Sequence, residues 1–172
     1  MRKIPPYPSN GWNVPKTSRK CSVEKSYYVS QIEAHSDMLY RVALTILRND
    51  EDCKDALQEA ALKAWEKRHT LRDKERFTTW LTRILINECR NIQRKRRRIV
   101  LMESLPESAV FQEDRTLMMV LETLPETYRI PLVLRYSEGM SDNEIASVLR
   151  LPASTVRGRI HRAKKQLKKE LE

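Results

Sequence analysis

Apolar residues recur at helical spacing along most of this chain. From Gln31 onward they fall three, four, seven and eight positions apart, which places them on one face of an α-helix. The first such set comprises Met38, Leu39, Val42, Ile46 and Leu47. Only 3 of the 172 residues are glycine, which weakens helix interiors. The pattern therefore predicts an all-α protein.

Two further amphipathic helices follow the first. One is predicted to begin at Asp50, in an acidic stretch that suits the positive end of a helix dipole. Its predicted inward positions are Leu57, Ala61, Ala64 and Trp65. The other starts near Arg76 and runs into the basic residues 94–98. Its apolar positions are Phe77, Trp80, Leu81, Ile84, Leu85 and Ile92. Because three such helices can enclose one small core, residues 31–98 are predicted to form a self-contained helical domain.

The remaining segments divide the chain further. Residues 1–30 hold four of the eight prolines and no helical period, so we expect a flexible arm there, with a docking peptide as the alternative. Residues 99–113 contain Pro106 and several acids without a period, which indicates a flexible linker. Helical signal resumes beyond it, and residues 114–172 are predicted to form a second small helical domain.

The end of the chain has the pattern of a helix-turn-helix. Ser141 is a predicted N-cap with Glu144 three residues later, the spacing of a capping box. A turn over 150–153 follows, and Ser154 or Thr155 is predicted to cap the final helix. The predicted buried stripe of that helix comprises Val156, Ile160, Ala163 and Leu167.

The surface opposite that stripe is basic and predicts binding to DNA. It carries Arg157, His161, Arg162, Lys164, Lys165, Lys168 and Lys169, with Arg159 on its flank. An arginine near the start of such a helix can bond to guanine O6 and N7, whereas lysines further along neutralise phosphates. A basic helix that follows a short capped helix is how a recognition helix enters the major groove. A solvated charged face on an ordinary helix is the alternative.

Net charge and cysteine spacing limit the classes of function. A formal charge of +10 favours a polyanionic partner, nucleic acid first and a membrane surface second. Cys21, Cys53 and Cys89 are too widely spaced for a zinc site or a disulfide scaffold, so no bound metal is expected. No cofactor is expected either. No apolar run is long enough to span a bilayer, and the N-terminus lacks the apolar segment of a signal peptide. We therefore expect a cytoplasmic protein.

The C-terminal unit resembles region 4 of the sigma-70-type transcription initiation factors, especially their extracytoplasmic-function (ECF) group. Residues 124–171 read LPETYRIPLVLRYSEGMSDNEIASVLRLPASTVRGRIHRAKKQLKKEL. The matching positions are Leu124, Pro125, Arg129, Glu144, Ile145, Ala146, Thr155, Val156, Arg159, Arg162, Ala163 and Leu167. The resemblance implies that this unit reads the minus-35 promoter element. The residues expected to contact it are Ser154, Thr155, Arg157, Arg159, His161, Arg162 and Lys165.

One position departs from that family pattern. Arg150 stands in the turn where many members carry glycine. A left-handed backbone there would cost a residue other than glycine about 1 kcal/mol.

The helix predicted after Asp50 resembles region 2.2 of the same family. Its hallmark, an aspartate followed three and four residues later by glutamine and glutamate, is present as Asp55, Gln58 and Glu59. The resemblance implies that these three residues bind a coiled coil of the polymerase β′ subunit. Their spacing places them on one helix face, where they can present hydrogen-bond acceptors. A solvated acidic face is the alternative, and Ala61 replaces a bulky aromatic common in the family.

The third helix resembles regions 2.3 and 2.4, which contact the minus-10 element. Phe77, Trp80, Leu81, Ile84 and Asn87 match the pattern. The residues that the resemblance assigns to minus-10 DNA are His69, Thr70, Leu71, Arg72, Asn87, Arg90, Asn91 and Arg94. Arg96 and Arg97 are expected to add basic reach. The helical spacing predicts a buried Trp80 rather than a platform for a stacked base.

The resemblance as a whole implies a two-domain ECF sigma factor. Its expected partners are core RNA polymerase, through the β′ coiled coil and the β flap, promoter DNA, and an anti-sigma factor that is often membrane-anchored. No catalytic constellation is evident, so the chemistry is expected to belong to the polymerase, with no small-molecule substrate. One alternative is a DNA-binding regulator that occupies an operator, which has no need for the face at Asp55, Gln58 and Glu59. Another is an RNA-binding or membrane-surface protein that uses its charge without sequence choice.

Overall fold

The structure, a computed structural model, describes residues 23–100, 121 and 123–171. Six α-helices lie within these ranges and form two units. The first unit contains α1 (Lys25–Leu47), α2 (Asp50–Glu66) and α3 (Phe77–Val100). The second contains α4 (Glu126–Tyr136), α5 (Asp142–Leu149) and α6 (Ala153–Leu171). None of the helices so described is apolar over a length that could cross a bilayer.

Local polar groups set the boundaries between the first helices. Arg48, which ends α1, has a left-handed backbone with φ of 54°, and its N–H donates to the carbonyl of Leu44. Asn49 then caps α2, because its side chain accepts from the N–H of Asp52 at 2.9 Å. The chain therefore turns sharply and α2 packs back against α1.

Helix α1 begins earlier than the apolar period indicates. It starts at Lys25, and both Val23 and Tyr28 are buried, so the arm expected over 1–30 cannot include residues 23–30. The hydroxyl of Tyr28 donates to the carbonyl of Ala61 in α2 at 2.5 Å, which fixes the start of α1 under that helix. Residues 1–22 lie outside the part of the chain that the structure describes.

Helix α3 is buried over more of its circumference than its predicted stripe. Phe77, Trp80, Leu81 and Leu85 are buried as expected. Thr82, Ile86 and Cys89 are buried as well, although they lie off that stripe. The reason is that α1, α2 and α5 all pack against α3. A helix enclosed on three sides is buried over a wider arc than a single apolar stripe predicts.

The second unit is a helix-turn-helix. Ser141 and Glu144 form the predicted capping box at the start of α5. Arg150 ends that helix with φ of 55° and ψ of 50°, so a residue other than glycine adopts the left-handed backbone in this turn. Helix α6 begins at Ala153, and its first turn closes from the N–H of Val156 to the carbonyl of Pro152. Ser154 and Thr155 thus lie inside the helix, and the prediction that one of them caps it is wrong.

The two units share one core. A single cluster of buried apolar residues runs through both units. The first unit was expected to be self-contained, but its core continues into the second unit. Helix α4 is buried continuously from Arg129 to Leu134 because α6 covers one side and α1 the other. Of the linker expected over 99–113, the first two residues belong to α3, and 101–113 are outside the described ranges.

Polar contacts also join the units, and we call them the clasp. Arg41 of α1 donates twice to Glu138, at 3.1 and 3.0 Å. The side chain of Gln93 in α3 donates to Glu126 at 2.8 Å and to the carbonyl of Ile46 at 3.1 Å. The buried guanidinium of Arg129 donates to the carbonyl of Thr45 at 3.0 Å. Two carbonyls at the end of α1 are therefore satisfied by side chains from other elements.

Candidate docking and nucleic-acid surfaces

Helix α2 presents the three residues predicted to bind a partner protein. Asp55, Gln58 and Glu59 are all exposed. The opposite face of α2 is buried and made of small residues, namely Cys53, Ala56, Ala60 and Ala64. Small side chains allow α2 to lie close to α1 and α3, which leaves its acidic face directed at solvent. We call the surface formed by Asp55, Gln58, Glu59 and the nearby Leu62 the docking face.

Leu62 is a member of the docking face that the sequence reasoning missed. Its side chain is 61% exposed, an unusual state for a leucine in a packed helix. At 100° per residue it falls within about 20° of Asp55, between the directions of Gln58 and Glu59. The sequence does contain a signal for it, because Leu62 follows Asp55, Gln58 and Glu59 by seven, four and three positions, which are the spacings of one helix face. The arrangement places an apolar contact among hydrogen-bond acceptors, as protein interfaces commonly do.

The loop between α2 and α3 contains the first four residues assigned to minus-10 DNA. It is built from two short 3-10 turns, Arg68–Thr70 and Lys74–Arg76. His69, Thr70 and Arg72 are exposed. Leu71 is only 3% exposed, so its assignment to DNA contact is wrong in this arrangement. Its side chain instead secures the loop to the core.

Trp80 supports the same loop from its buried side. The indole is 8% exposed, which confirms the prediction of a buried side chain. Its Nε1–H donates to the Thr70 hydroxyl at 3.3 Å, and that hydroxyl donates to the carbonyl of Lys67 at 2.7 Å. The buried tryptophan therefore helps to hold the exposed side of the loop in one conformation.

The other four residues assigned to minus-10 DNA share one face of α3. Asn87, Arg90, Asn91 and Arg94 fall within an arc of about 100°. The first three are partly exposed and Arg94 is exposed. The guanidinium of Arg94 donates to the Asn91 side-chain oxygen at 2.5 Å and to the carbonyl of Arg90 at 3.3 Å. We call this set the polar face of α3.

Arg96 does not join that face. Its Nε lies 2.6 Å from a carboxylate oxygen of Asp52, near the start of α2. Burial raises the pKa of Asp52, and the charge of Arg96 opposes that rise. Arg96 therefore fastens α3 to α2, although 41% of its side chain remains exposed.

A buried carboxylate lies beside the polar face. Glu88 is 8% exposed and accepts from Lys63 of α2 at 2.5 Å and from the Asn91 amide at 3.1 Å. Burial opposes its ionisation, but the two donors hold its pKa below the usual range. Lys63 also lies 3.8 Å from Glu59 of the docking face. The sequence pattern gave no reason to select Glu88.

Helix α6 exposes the residues predicted to contact minus-35 DNA. Val156, Ile160 and Ala163 are buried and Leu167 is partly buried, which confirms the predicted stripe. Ser154, Arg157, His161, Arg162 and Lys165 are exposed on the other side, whereas Thr155 and Arg159 are partly exposed. The stripe packs against α4 and α5, so the basic arc must face outward.

A shallow depression lies on the exposed side of α6. It is lined by Ser154, Thr155, Gly158, Arg159 and Arg162. A Cβ added at Gly158 would meet no atom of the described residues within 4 Å. The space beside Gly158 is therefore free of described protein atoms, and an outside group could enter it.

Lys164 differs from its neighbours on the basic arc. Its ammonium lies 4.5 Å from the centre of the Tyr136 ring, a cation–π contact that ties α6 to the end of α4.

In the described part of the chain no three histidine, cysteine or acidic side chains cluster in a way that could hold a metal ion.

Two family models match the chain. The model of sigma-70 region 2 covers residues 31–99, which correspond to most of α1 and to α2 and α3. The model of sigma-70 region 4 covers residues 114–167, which include α4, α5 and most of α6. The matches therefore follow the two structural units.

Known proteins are similar over most of their length. The RNA polymerase sigma-E factor of Streptomyces coelicolor is 34% identical, over 81% of this chain and 83% of that relative. The ECF RNA polymerase sigma-E factor of Escherichia coli K12 is 32% identical, over 67% of this chain and 72% of that relative. Among solved structures, the sigma factor RpoE of Bartonella quintana in complex with the anti-sigma factor NepR has a TM-score of 0.76. It is 22% identical and covers 84% of this chain and 96% of its own, which shows a shared fold.

Proposed function

Because the chain belongs to the sigma-70 family, as a sigma factor of the ECF group, we propose a division of roles between its two units. As a member of that family it binds core RNA polymerase and directs promoter-specific initiation of transcription. Residues 31–98 bind the polymerase and open the minus-10 element, residues 114–172 read the minus-35 element, and residues 99–113 connect the two.

The docking face binds the polymerase. Asp55, Gln58 and Glu59 present acceptors to basic or amide groups of the β′ coiled coil, and Leu62 supplies a central apolar contact. The observation that carries this role is an exposed leucine inside an acidic helix face that no other described helix covers. An operator-binding regulator has no use for such a face, and neither has a protein that binds RNA or membranes by charge alone.

The loop before α3 and the polar face of α3 form the minus-10 surface. His69, Thr70 and Arg72 are exposed at the loop, and Asn87, Arg90, Asn91 and Arg94 lie on the helix. Amide and guanidinium groups can read the edges of unstacked bases, while arginines also neutralise the backbone. Leu71 and Trp80 support this surface from the core.

Helix α6 reads the minus-35 element in the major groove. Arg157 and Arg159 near its start are placed to bond to base edges, and Ser154, Thr155, His161, Arg162 and Lys165 surround them. Lysines nearer the C-terminus contact phosphates. The hollow at Gly158 lies in the middle of this surface and admits a close approach of the DNA.

The remaining partners follow from the family. The second unit contacts the β flap of the polymerase, and an anti-sigma factor holds the chain inactive, as NepR accompanies the similar RpoE structure. The chain acts in the cytoplasm, where the polymerase binds the chromosome. The chain supplies no catalytic group, and the polymerase carries out the chemistry.

Binding to core polymerase tests the proposal directly. The pure chain is mixed with core enzyme and run on gel filtration, first alone and then with a promoter identified by sequencing transcripts that appear on overexpression. We expect co-elution, and we expect the triple variant Asp55→Ala, Gln58→Ala, Glu59→Ala to lose it. Glu33→Ala, which removes an exposed carboxylate from α1, is the matched control and should bind normally. Failure of the wild-type chain to co-elute with the polymerase would overturn the proposed function.

A further inference from the structure

Glu88 lies between the docking face and the minus-10 surface, yet it belongs to neither. It is a buried acid on α3, and its carboxylate accepts from donors on both sides. Lys63 of α2 donates at 2.5 Å and the Asn91 amide donates at 3.1 Å, both to the same oxygen. A carboxylate this far from water persists in ionised form only when it is paired and hydrogen-bonded. Lys63 and Asn91 supply that pairing.

The bond from Asn91 has a consequence for what Asn91 shows to DNA. Because the amide nitrogen is directed at Glu88, the amide oxygen points the other way. That oxygen accepts from the guanidinium of Arg94, whose Nε is held by the carbonyl of Arg90. The orientation of the amide is therefore fixed from one side by Glu88, and the guanidinium is fixed in turn by the amide.

The positions of the donor and the acceptor on the Asn91 amide matter because the edges of the bases differ in where they carry donors and acceptors. A side-chain amide that turns over exchanges its donor and acceptor, and so favours a different base edge. A glutamine at position 88 could act as donor or acceptor and would leave both orientations of Asn91 available. An ionised carboxylate accepts only, and it selects one orientation.

We propose that Glu88 is a positioning residue that gives the minus-10 surface its base preference by fixing the orientation of Asn91 and, through it, of Arg94. The inference rests on the proposed function of that surface. Lys63 keeps the carboxylate paired, and Glu88 itself does not touch the DNA.

The first test is Glu88→Gln in the full chain, assembled with core polymerase. Promoter opening is measured on a set of templates that each carry one changed base in the minus-10 element. We expect discrimination to fall about tenfold at one base position and to stay unchanged at the minus-35 element. Binding to core polymerase should remain within about twofold of wild type, since the docking face is untouched. Glu33→Gln is the matched control, because it neutralises an exposed carboxylate on α1.

A charge exchange separates positioning from simple stabilisation. Lys63→Glu with Glu88→Lys restores an ion pair between α2 and α3, but it places a donor beside Asn91. We expect thermal stability to recover in part, because the carboxylate introduced at position 63 lies near Glu59. Discrimination should stay low, because the amide now turns its oxygen toward position 88. In addition, Glu88→Gln should cause no further loss in an Asn91→Ala background.

The outcomes are distinct. Full discrimination in Glu88→Gln, or an exchange variant that recovers stability and discrimination together, would overturn the inference while leaving the proposed function intact. A wild-type chain that fails to bind core polymerase, or that shows no base preference in the minus-10 element, would overturn the proposed function itself. If Glu88→Gln fails to fold, the exchange variant alone decides.

Discussion

Arg150 and Gly158 hold opposite kinds of position in the second unit. Arg150 adopts a left-handed backbone that suits glycine, whereas Gly158 lies inside a helix where a larger residue would fit. Each choice costs stability locally. The site at 150 is set by the turn between α5 and α6, and the N–H of Leu151 closes that turn on the carbonyl of Ala146 at 3.0 Å. The site at 158 faces the proposed DNA surface.

Replacing Arg150 with glycine should stabilise the protein. The change removes the steric cost of φ near 55°, so we expect the free energy of unfolding to rise by about 1 kcal/mol. Chemical denaturation monitored by circular dichroism measures it. Arg150→Ala is the control, because it removes the same side chain and keeps the strained backbone. Equal stabilisation by both variants would show that the backbone is not the cause.

Gly158→Ala should have opposite effects on folding and on DNA binding. An alanine in a helix interior gains about 1 kcal/mol over glycine, and the added Cβ would meet no atom of the residues that the structure describes. The same methyl group projects into the hollow on α6, so affinity for minus-35 DNA should fall. Denaturation and fluorescence anisotropy on a short duplex measure the two quantities. If the affinity is unchanged, the DNA does not approach the helix at this point.

At the scale of elements, several local signals in the sequence were accurate, although the predicted cap of α6 at Ser154 or Thr155 was not. The capping box of α5, the stripe of α6 and the acidic start of α2 all depend on residues a few positions apart. The early start of α1 was missed because Tyr28 is held by Ala61, 33 positions away. Leu62 and Glu88 were missed because an exposed leucine and a buried glutamate contradict the usual preferences of those residues.

The capping box should make part of the stability depend on pH. The hydroxyl and the N–H of Ser141 both donate to Glu144, at 2.6 and 2.8 Å, and they hold its pKa below the ordinary 4.5. A lowered pKa contributes stability that is present above that value and is lost as the pH falls through the pKa of the folded state. We therefore expect Glu144→Gln to lose stability less steeply than wild type below about pH 4.5 in denaturation series. Glu170→Gln, which alters an exposed acid on α6, should keep the wild-type slope.

The basic arc of α6 should divide into two functional parts. Arg157→Ala should weaken binding to minus-35 duplexes by about 1 to 3 kcal/mol and relax the choice at one base position. Lys169→Ala, further along the helix, should weaken binding evenly across sequences and reduce its dependence on salt. Titrations of duplexes with single-base changes, at several salt concentrations, measure both effects. Identical behaviour of the two variants would show that the arc makes phosphate contacts only.

At the scale of the whole molecule, the packing of one unit on the other was beyond the sequence reasoning. The contacts of the clasp join residues such as Arg41 and Glu138, which are 97 positions apart, and no local period relates them. Helix α4 showed an unbroken run of apolar residues, which a helix buried on both faces requires. What covers its second face is α1, and only the folded chain reveals it.

Removing Arg41 should favour separation of the units. The side chain of Glu138 is 3% exposed, so Arg41→Ala leaves a buried carboxylate without its guanidinium partner. We expect a cost of about 2 kcal/mol to the packed arrangement, because half of the Arg41 side chain is exposed and solvent weakens the pair. Small-angle X-ray scattering should show a larger radius of gyration. The exchanged pair Arg41→Glu with Glu138→Arg should restore the wild-type value, and a radius unaffected by either change would contradict the role of this ion pair.

The clasp bears on how freely such chains can exchange parts. A hybrid that joined the first unit of this chain to the second unit of a relative would keep each set of promoter contacts. It would lose the partners of Arg41, Gln93 and the carbonyl of Thr45 unless the relative supplied matching groups. The two units are therefore matched to each other as well as to DNA and polymerase. A substitution in the clasp on one unit constrains which substitutions the other unit can accept.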